Sequence, residues 1–167
     1  MSAFREITAE ELQGNPFRMI GKGWMLITAG SDKCNTMTAS WGGMGVMWGR
    51  NVSFVVIRPQ RYTKEFVDRE DLFSLSFLGE EHRKKLSYLG AVSGRDEDKI
   101  AKTGLTVARD GAVPYFDEAD TVLICKKLFR QPYDPASFLD QTIITEMYPQ
   151  KDFHTLYVSE ITKVLVK

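Results

Sequence analysis

Trp24-Met25-Leu26-Ile27-Thr28-Ala29-Gly30-Ser31-Asp32-Lys33-Cys34-Asn35-Thr36-Met37-Thr38-Ala39-Ser40 is the stretch that decides the fold class. Trp24 to Gly30 is a near-continuous apolar run of strand length, closed by the turn formers Gly30-Ser31-Asp32. Asn35 to Ser40 alternates polar and apolar residues, the pattern of a second strand with one face buried. Two such runs on either side of a turn predict an antiparallel hairpin.

The chain beyond the hairpin keeps the same character. Trp41 to Gly49 holds four glycines, two tryptophans and two methionines, too Gly-rich for an ordinary helix or strand. Asn51 to Arg58 reads as a clear strand, and Pro59, which lacks an N–H, breaks its ladder. Thr63 to Arg69 suits a short helix, and Leu72 to Leu78 alternates apolar residues with serine as a strand does. Glu80 to Tyr88 is a charged amphipathic helix. Asp96 to Thr103 is a second, with acids in its first turn that suit the helix dipole. Thr121 to Phe129, Thr142 to Tyr148 and Thr155 to Val166 read as late strands. Upstream, Thr8 to Leu12 is a short helix with Thr8 as N-cap and Glu11 completing a capping box, ended by Pro16. Strands dominate and helices interrupt them singly. No repeat, low-complexity tract or linker divides the chain, so residues 1–167 are expected to form a single domain. A closed antiparallel barrel with small helices fits this order better than a βαβ sheet.

With 167 residues, the chain is long enough to bury a core without staples. Its 43% hydrophobic and 26% charged residues are globular usage, not disorder. Lys plus Arg (22) equals Asp plus Glu (22). Zero net charge argues against general nucleic-acid binding and against binding to an anionic membrane surface. Met1 to Glu6 has no apolar core of signal-peptide length, and no stretch approaches the roughly 20 apolar residues of a membrane span. Cys34 and Cys125 stand far apart outside any C-x-x-C motif, as free thiols of a cytoplasmic protein do.

Common catalytic motifs fail. Gly43-Met44-Gly45-Val46-Met47-Trp48 puts tryptophan where a G-x-G-x-x-G fingerprint needs its last glycine. There is no P-loop and no G-x-S-x-G elbow. The only histidines, His82 and His154, lack partners at zinc spacing.

Three segments carry chemistry. Asn35-Thr36-Met37-Thr38-Ala39-Ser40-Trp41-Gly42-Gly43 offers an amide, small hydroxyls and a turn with free backbone N–H groups, suited to a planar heterocycle bound edge-on. A polar strand edge accounts for the same residues. Arg58-Pro59-Gln60-Arg61-Tyr62-Thr63 places two arginines around a rigid proline at a helix start, a phosphate clamp made without a P-loop. A solvated turn with two surface arginines is the competing account, since Glu65 lies in the same first turn. In Ser93-Gly94-Arg95-Asp96-Glu97-Asp98-Lys99, the flanking acids suggest a solvated face on which Lys99 is one exposed charge.

In this order, N-T-M-T-A-S-W-G-G at 35–43, R-P-Q-R-Y-T at 58–63 and S-G-R-D-E-D-K at 93–99 resemble the flavin reductase-like, FMN-binding split-barrel family. The resemblance extends to Tyr148-Pro149-Gln150-Lys151-Asp152-Phe153-His154 and is greatest to the flavoredoxin-type branch. It implies a mainly β fold, a six-stranded antiparallel Greek-key split barrel with short flanking helices. It also implies a homodimer holding one non-covalent FMN per subunit near the interface. Asn35, Thr36, Met37 and Thr38 would line the isoalloxazine and ribityl chain, with Ser40 and Trp41 against the ring or phosphate side. Arg58, Arg61, Tyr62 and Thr63 would hold the phosphate region. Lys99 would sit by the pyrimidine end of the ring, favouring the anionic reduced flavin. Met47 and Trp48 would either cover a ring face or pack in the core, and core packing is the favoured reading of the two. His154 matches the family's late histidine, with approach to the flavin and a structural role on the last strand both open. The implied activity is FMN-dependent electron transfer, with NAD(P)H or a redox partner protein as donor. A non-catalytic FMN-binding module and an enzyme of the pyridoxamine-phosphate oxidase kind are the alternatives.

Overall fold

The computed structural model describes residues 4–167; Met1 to Ala3, part of the N-terminal segment above, lie outside them. In chain order the elements are β1 (Arg5–Ile7), α1 (Pro16–Arg18), β2 (Met25–Ala29), β3 (Asn35–Ala39), β4 (Gly42–Met47), β5 (Arg50–Ile57) and α2 (Tyr62–Arg69). They continue with β6 (Leu72–Phe77), α3 (Arg83–Ala91), α4 (Lys99–Thr103), β7 (Val107–Asp110), β8 (Val113–Phe116), β9 (Thr121–Pro132), α5 (Gln141–Met147) and β10 (Thr155–Val166).

The hairpin forms as its pattern predicts, with Met25 opposite Ala39 and Ala29 opposite Asn35. The sheet runs β3-β2-β6-β9-β10-β5-β4, with β1 on β10, and its ladders are antiparallel. The consecutive strands β5 and β6 are not neighbours. β9 and β10 lie between them, which is a Greek-key crossover. Six strands (β2, β3, β5, β6, β9 and β10) feed one buried cluster that includes Met25, Met37, Val55, Phe73, Leu123 and Tyr157. The expected six-stranded class therefore holds for the barrel interior, and β1, β4 and the separate β7–β8 hairpin are additions to it. Burying each large apolar side chain contributes about 1.5–3 kcal/mol. A second cluster, with Leu86 and Leu89 of α3, Leu105, Tyr115, Phe116 and Val122, seats α3 and the β7–β8 hairpin on the outer face.

Several elements differ from the sequence expectation. Thr142 to Tyr148 is helix, not strand. Asp140 caps it, accepting from the Thr142 N–H at 3.0 Å and lying 2.6 Å from Thr142 Oγ1. Most of α5 is exposed, and it pairs with no strand of the sheet. The Gly-rich run is strand β4, paired with β5. Pro16 opens α1, with the Asn15 side chain as cap, and does not end the preceding turn. That turn, Ala9–Glu11, is 3₁₀, and its capping box is present, with Glu11 Oε2 accepting from the Thr8 N–H at 2.8 Å. Met47 and Trp48 are 40% and 59% exposed, not core residues.

β4 approaches β5 because Gly42 has no side chain. Its φ is +143°, and a Cβ there would stand 2.3 Å from the Phe54 carbonyl oxygen. A Cβ on Gly45 would meet only the Phe54 ring, at 3.6 Å. Gly42→Ala should therefore destabilise the protein by at least about 1 kcal/mol. Gly45→Ala should cost less, and the urea midpoints of the two variants measure the difference.

Candidate functional site

The turn from β3 to β4, the end of β5 and the C-terminal end of α3 surround a cleft of about 220 Å³. Met37, Thr38, Ala39, Ser40 and Trp41 form one side, with Val56, Arg58, Arg61, Gly90 and His154 completing it. Seven of the sequence-predicted site residues (Met37, Thr38, Ser40, Trp41, Arg58, Arg61 and His154) thus share one cavity. α3 fits closely over β3 because residue 90 is glycine: a Cβ there would lie 3.1 Å from Thr38 Cβ. The Thr38 hydroxyl donates to the Leu86 carbonyl and fastens the helix.

The other predicted residues lie elsewhere. Thr36 is fully buried, its Oγ1 donating to the Ile27 carbonyl at 3.1 Å and standing 2.9 Å from Thr28 Oγ1. Asn35 Nδ2 donates to Thr63 Oγ1 at 2.9 Å, tying β3 to the first turn of α2. Gly94 crosses so close that a Cβ would stand 2.1 Å from Asn35 Oδ1. Tyr62 packs edge-on against Phe66, centroids 4.9 Å apart, beneath the Arg95 guanidinium at 4.6 Å. Asn35 and Lys99 line a neighbouring cavity of about 530 Å³ with Cys34 and the 94–98 turn.

The two arginines of the expected clamp are not equivalent. Arg58 already has an acid, with Nη1 2.7 Å from Asp152 Oδ2, and it donates through Nη2 to the Met147 carbonyl at 2.9 Å. Gln60 and then Arg58 hold the Asp152 carboxyl below the usual carboxylate range. Arg61 has no carboxylate within salt-bridge distance among the described residues, and donates to the Gly90 carbonyl at 2.8 Å. Its burial lowers its pKa.

Lys99 departs from the solvated face its flanking acids suggest. It is 3% exposed, and its ammonium donates to the carbonyls of Leu89 at 2.7 Å and Val92 at 2.8 Å. It too lacks a carboxylate partner among the described residues. Burial, and then the charge of Arg61, bring its pKa down to about 8. The C-terminal end of α3 therefore holds two cations on its carbonyls, where the helix dipole favours positive charge. Among the described residues no acid neutralises them, so the site suits an anion, and a phosphate ester fits this donor set.

His154 is buried, with Nδ1 2.7 Å from the Tyr148 hydroxyl and its ring centroid 5.2 Å from that of Trp41. Burial, and then the Arg58 charge, push its pKa down to about 4, so it is neutral at pH 7. Gly90, Asp152 and Tyr148 are site residues that motif reasoning did not single out for a role. The glycine near the end of an amphipathic helix, and the two residues within the 148–154 run, were the available signals.

The family model described as flavin reductase like domain matches residues 17–167, and the chain belongs to that family. No curated protein matches the sequence. Among solved structures, it is similar to an FMN-binding domain of a flavin reductases-like enzyme from Shewanella baltica. Identity is 16% and the TM-score 0.71, over 99% of this chain and 78% of that one. It is similar to flavoredoxin from Methanosarcina acetivorans, with 21% identity and a TM-score of 0.67 over 95% and 76% of the two chains. The NADH:FAD oxidoreductase SgcE6 of Streptomyces globisporus gives 14% identity and a TM-score of 0.64 over 87% and 75%. At these identities the likeness carries the fold. Among the described residues, no helix is long and apolar enough to cross a membrane.

The Lys99 shift has opposite consequences for binding and for stability. Its folded pKa of about 8 lies below the ordinary 10.5. Between those values the unfolded chain binds more protons, so this group makes the ligand-free protein more stable as pH rises. Affinity for a phosphate anion should fall over the same rise as the ammonium charge is lost. Urea unfolding and FMN titration at pH 7 and pH 9 should therefore move in opposite directions.

Proposed function

We propose that the protein is an FMN-dependent oxidoreductase, moving electrons between NAD(P)H or a protein donor and an acceptor. The observation that carries this is the half-buried Arg61, a cation without an acid among the described residues, at a cleft walled by Trp41 and a neutral histidine, with the buried Lys99 lining the neighbouring cavity at the same helix end. The named contents of its structural relatives, FMN-binding domain, flavoredoxin and NADH:FAD oxidoreductase, agree with a flavin phosphate as the anion. Arg61 would hold the phosphate, aided by Arg58 and by the charge of Lys99. Met37, Thr38, Ser40 and Trp41 would flank the ribityl chain and ring, and neutral His154 would face the ring without adding charge. Bound FMN supplies the hydride and single-electron chemistry, and the protein supplies position and electrostatics. The two unpaired cysteines suit a reducing, cytoplasmic setting.

A homodimer is part of the same proposal. The cleft is smaller than the roughly 300–1,000 Å³ of most ligand pockets, so it needs a further wall to enclose a flavin. The edge strand β4 leads into an exposed apolar patch. Val46 is 69% exposed, and the Trp48 and Phe129 rings lie 6.1 Å apart beside it. Such patches on an edge strand mark association surfaces. Light scattering at micromolar concentration should give twice the 19.0 kDa chain mass. A monomer with flavin still bound would count against the second wall.

Freshly purified protein should show a flavin absorption spectrum. Arg61→Met should weaken FMN binding at least tenfold, from the loss of a charged hydrogen bond worth roughly 1.5–3 kcal/mol, and leave riboflavin binding nearly unchanged. Equal losses for FMN and riboflavin would refute the phosphate assignment. Anaerobic bleaching of the holo-protein by NADH or NADPH identifies a reductase, and bleaching only by a reduced protein donor identifies a carrier. Bound flavin that no donor turns over would leave a non-catalytic FMN module.

A further inference from the structure

Arg58, Arg61 and Arg95 meet at the start of α2, and their charges are handled differently. Arg58 and Asp152 form a sheltered pair, their side chains 25% and 18% exposed. Arg61 has no carboxylate within salt-bridge distance among the described residues and rests on the Gly90 carbonyl. Arg95 arrives from the turn between α3 and α4. Its Nη2 is paired with Glu65, its Nη1 donates to the Gln60 carbonyl at 3.2 Å, and its guanidinium lies 4.6 Å from the centroid of the Tyr62 ring. Gln60 and Tyr62 flank Arg61 in the chain, so the held charge of Arg95 and the unpaired charge of Arg61 stand at one helix start.

The two ion pairs differ in shelter. Arg95 and Glu65 side chains are 43% and 59% exposed, well above those of Arg58 and Asp152. Water and salt compete with an exposed pair and leave it little net strength. A guanidinium meets phosphate oxygens through two parallel charged hydrogen bonds, which are stronger. A phosphate arriving at Arg61 therefore draws Arg95 from Glu65 more readily than Arg58 from Asp152. Only the Arg95 side chain has to turn, because its backbone is fixed. The Arg95 N–H donates to Ser93 Oγ at 3.2 Å, the Asp96 N–H donates to the Ser93 carbonyl at 3.1 Å, and Gly94 lies against Asn35. Arg95 also lines the cavity of about 530 Å³ that Asn35 and Lys99 share, which gives its side chain room to move.

We propose that Glu65 is an internal stand-in for the ligand's phosphate: it neutralises Arg95 while the site is empty, yields it to a bound phosphate and reclaims it on release. This exchange rests on the phosphate reading of the Arg61 site. It spares the empty protein a second unpaired arginine beside Arg61. The returning carboxylate also competes with the departing phosphate, so Glu65 shortens the ligand's stay and makes the ligand exchangeable. Glu65 acts through Arg95 and is a positioning residue.

A double-mutant cycle on Glu65→Gln and Arg95→Met tests the exchange. The probes are FMN, followed by its fluorescence with stopped-flow dissociation, and inorganic phosphate, followed by phosphorus NMR titration. Glu65→Gln keeps the side chain's shape and removes its charge. It should tighten both ligands severalfold, with the gain in a slower dissociation of FMN, and Arg95→Met should weaken both severalfold. In the Arg95→Met background, Glu65→Gln should change almost nothing. If Glu65 only steadied the turn, Glu65→Gln would weaken binding. If it only repelled the phosphate, Glu65→Gln would tighten binding equally with and without Arg95. Either result, or an unchanged affinity, overturns the proposal. FMN binding that is insensitive to both substitutions would sink the exchange and leave the cofactor reading standing. Inorganic phosphate that follows the cycle in a chain that takes up no FMN would sink the cofactor reading and leave the exchange standing. A chain that binds neither probe overturns both.

Discussion

Two cations held on the C-terminal carbonyls of α3 are the constraint around which this site is organised. Removing a charge from water costs several kcal/mol even after relaxation. A helix C-terminus returns roughly 0.3–1 kcal/mol for each cation, and up to about 2 in partly buried geometry. Carbonyl hydrogen bonds to a charged donor add roughly 1.5–3 kcal/mol each. Lys99 has two such bonds and Arg61 one, and neither has a carboxylate partner among the described residues. The lowered pKa of Lys99 is the visible remainder of a balance left incomplete by the protein alone. An anion completes it, which is why the electrostatics point to a phosphate ligand more strongly than the shape of the cleft does.

The barrel makes that arrangement possible. The Greek-key order leaves the β5–β6 connection to carry α2, and the β6–β9 connection to carry α3 and α4. Asn35 ties β3 to Thr63 at the start of α2, and Thr38 ties β3 to Leu86 of α3. The absence of a side chain at Gly90 and at Gly94 lets these segments close on β3. Motion of any one piece would separate Arg61 from the helix end that positions it. The Tyr148–His154 hydrogen bond performs the corresponding service on the other side, joining the α5 segment to the start of β10.

Much of this was legible along the chain. The β2–β3 hairpin, β5, β6, β9 and β10 follow from apolar runs, alternation and the Gly30 and Pro59 breaks. Each is decided by neighbours a few residues away. Thr142 to Tyr148 misled because its β-branched residues have strand propensity, whereas an Asp140 cap started a helix there and the segment pairs with no strand. The run from Trp41 to Gly49 misled in the other direction. Its glycines look unfit for a strand until Phe54 is seen to need the space above Gly42.

The site divides the same way. The sequence by itself determined the residue types: paired arginines around a proline, a hydroxyl-rich strand running into a tryptophan turn, and a lysine among acids. Tertiary structure decided which of them share a cavity and which charges remain unpaired. Arg58 and Arg61 are three residues apart, yet Asp152 neutralises only the first. Lys99 sits in a run of acids, yet it is buried against carbonyls of a different helix. Charge pairing and burial depend on groups brought together from distant parts of the chain, and local sequence carries no record of that distance.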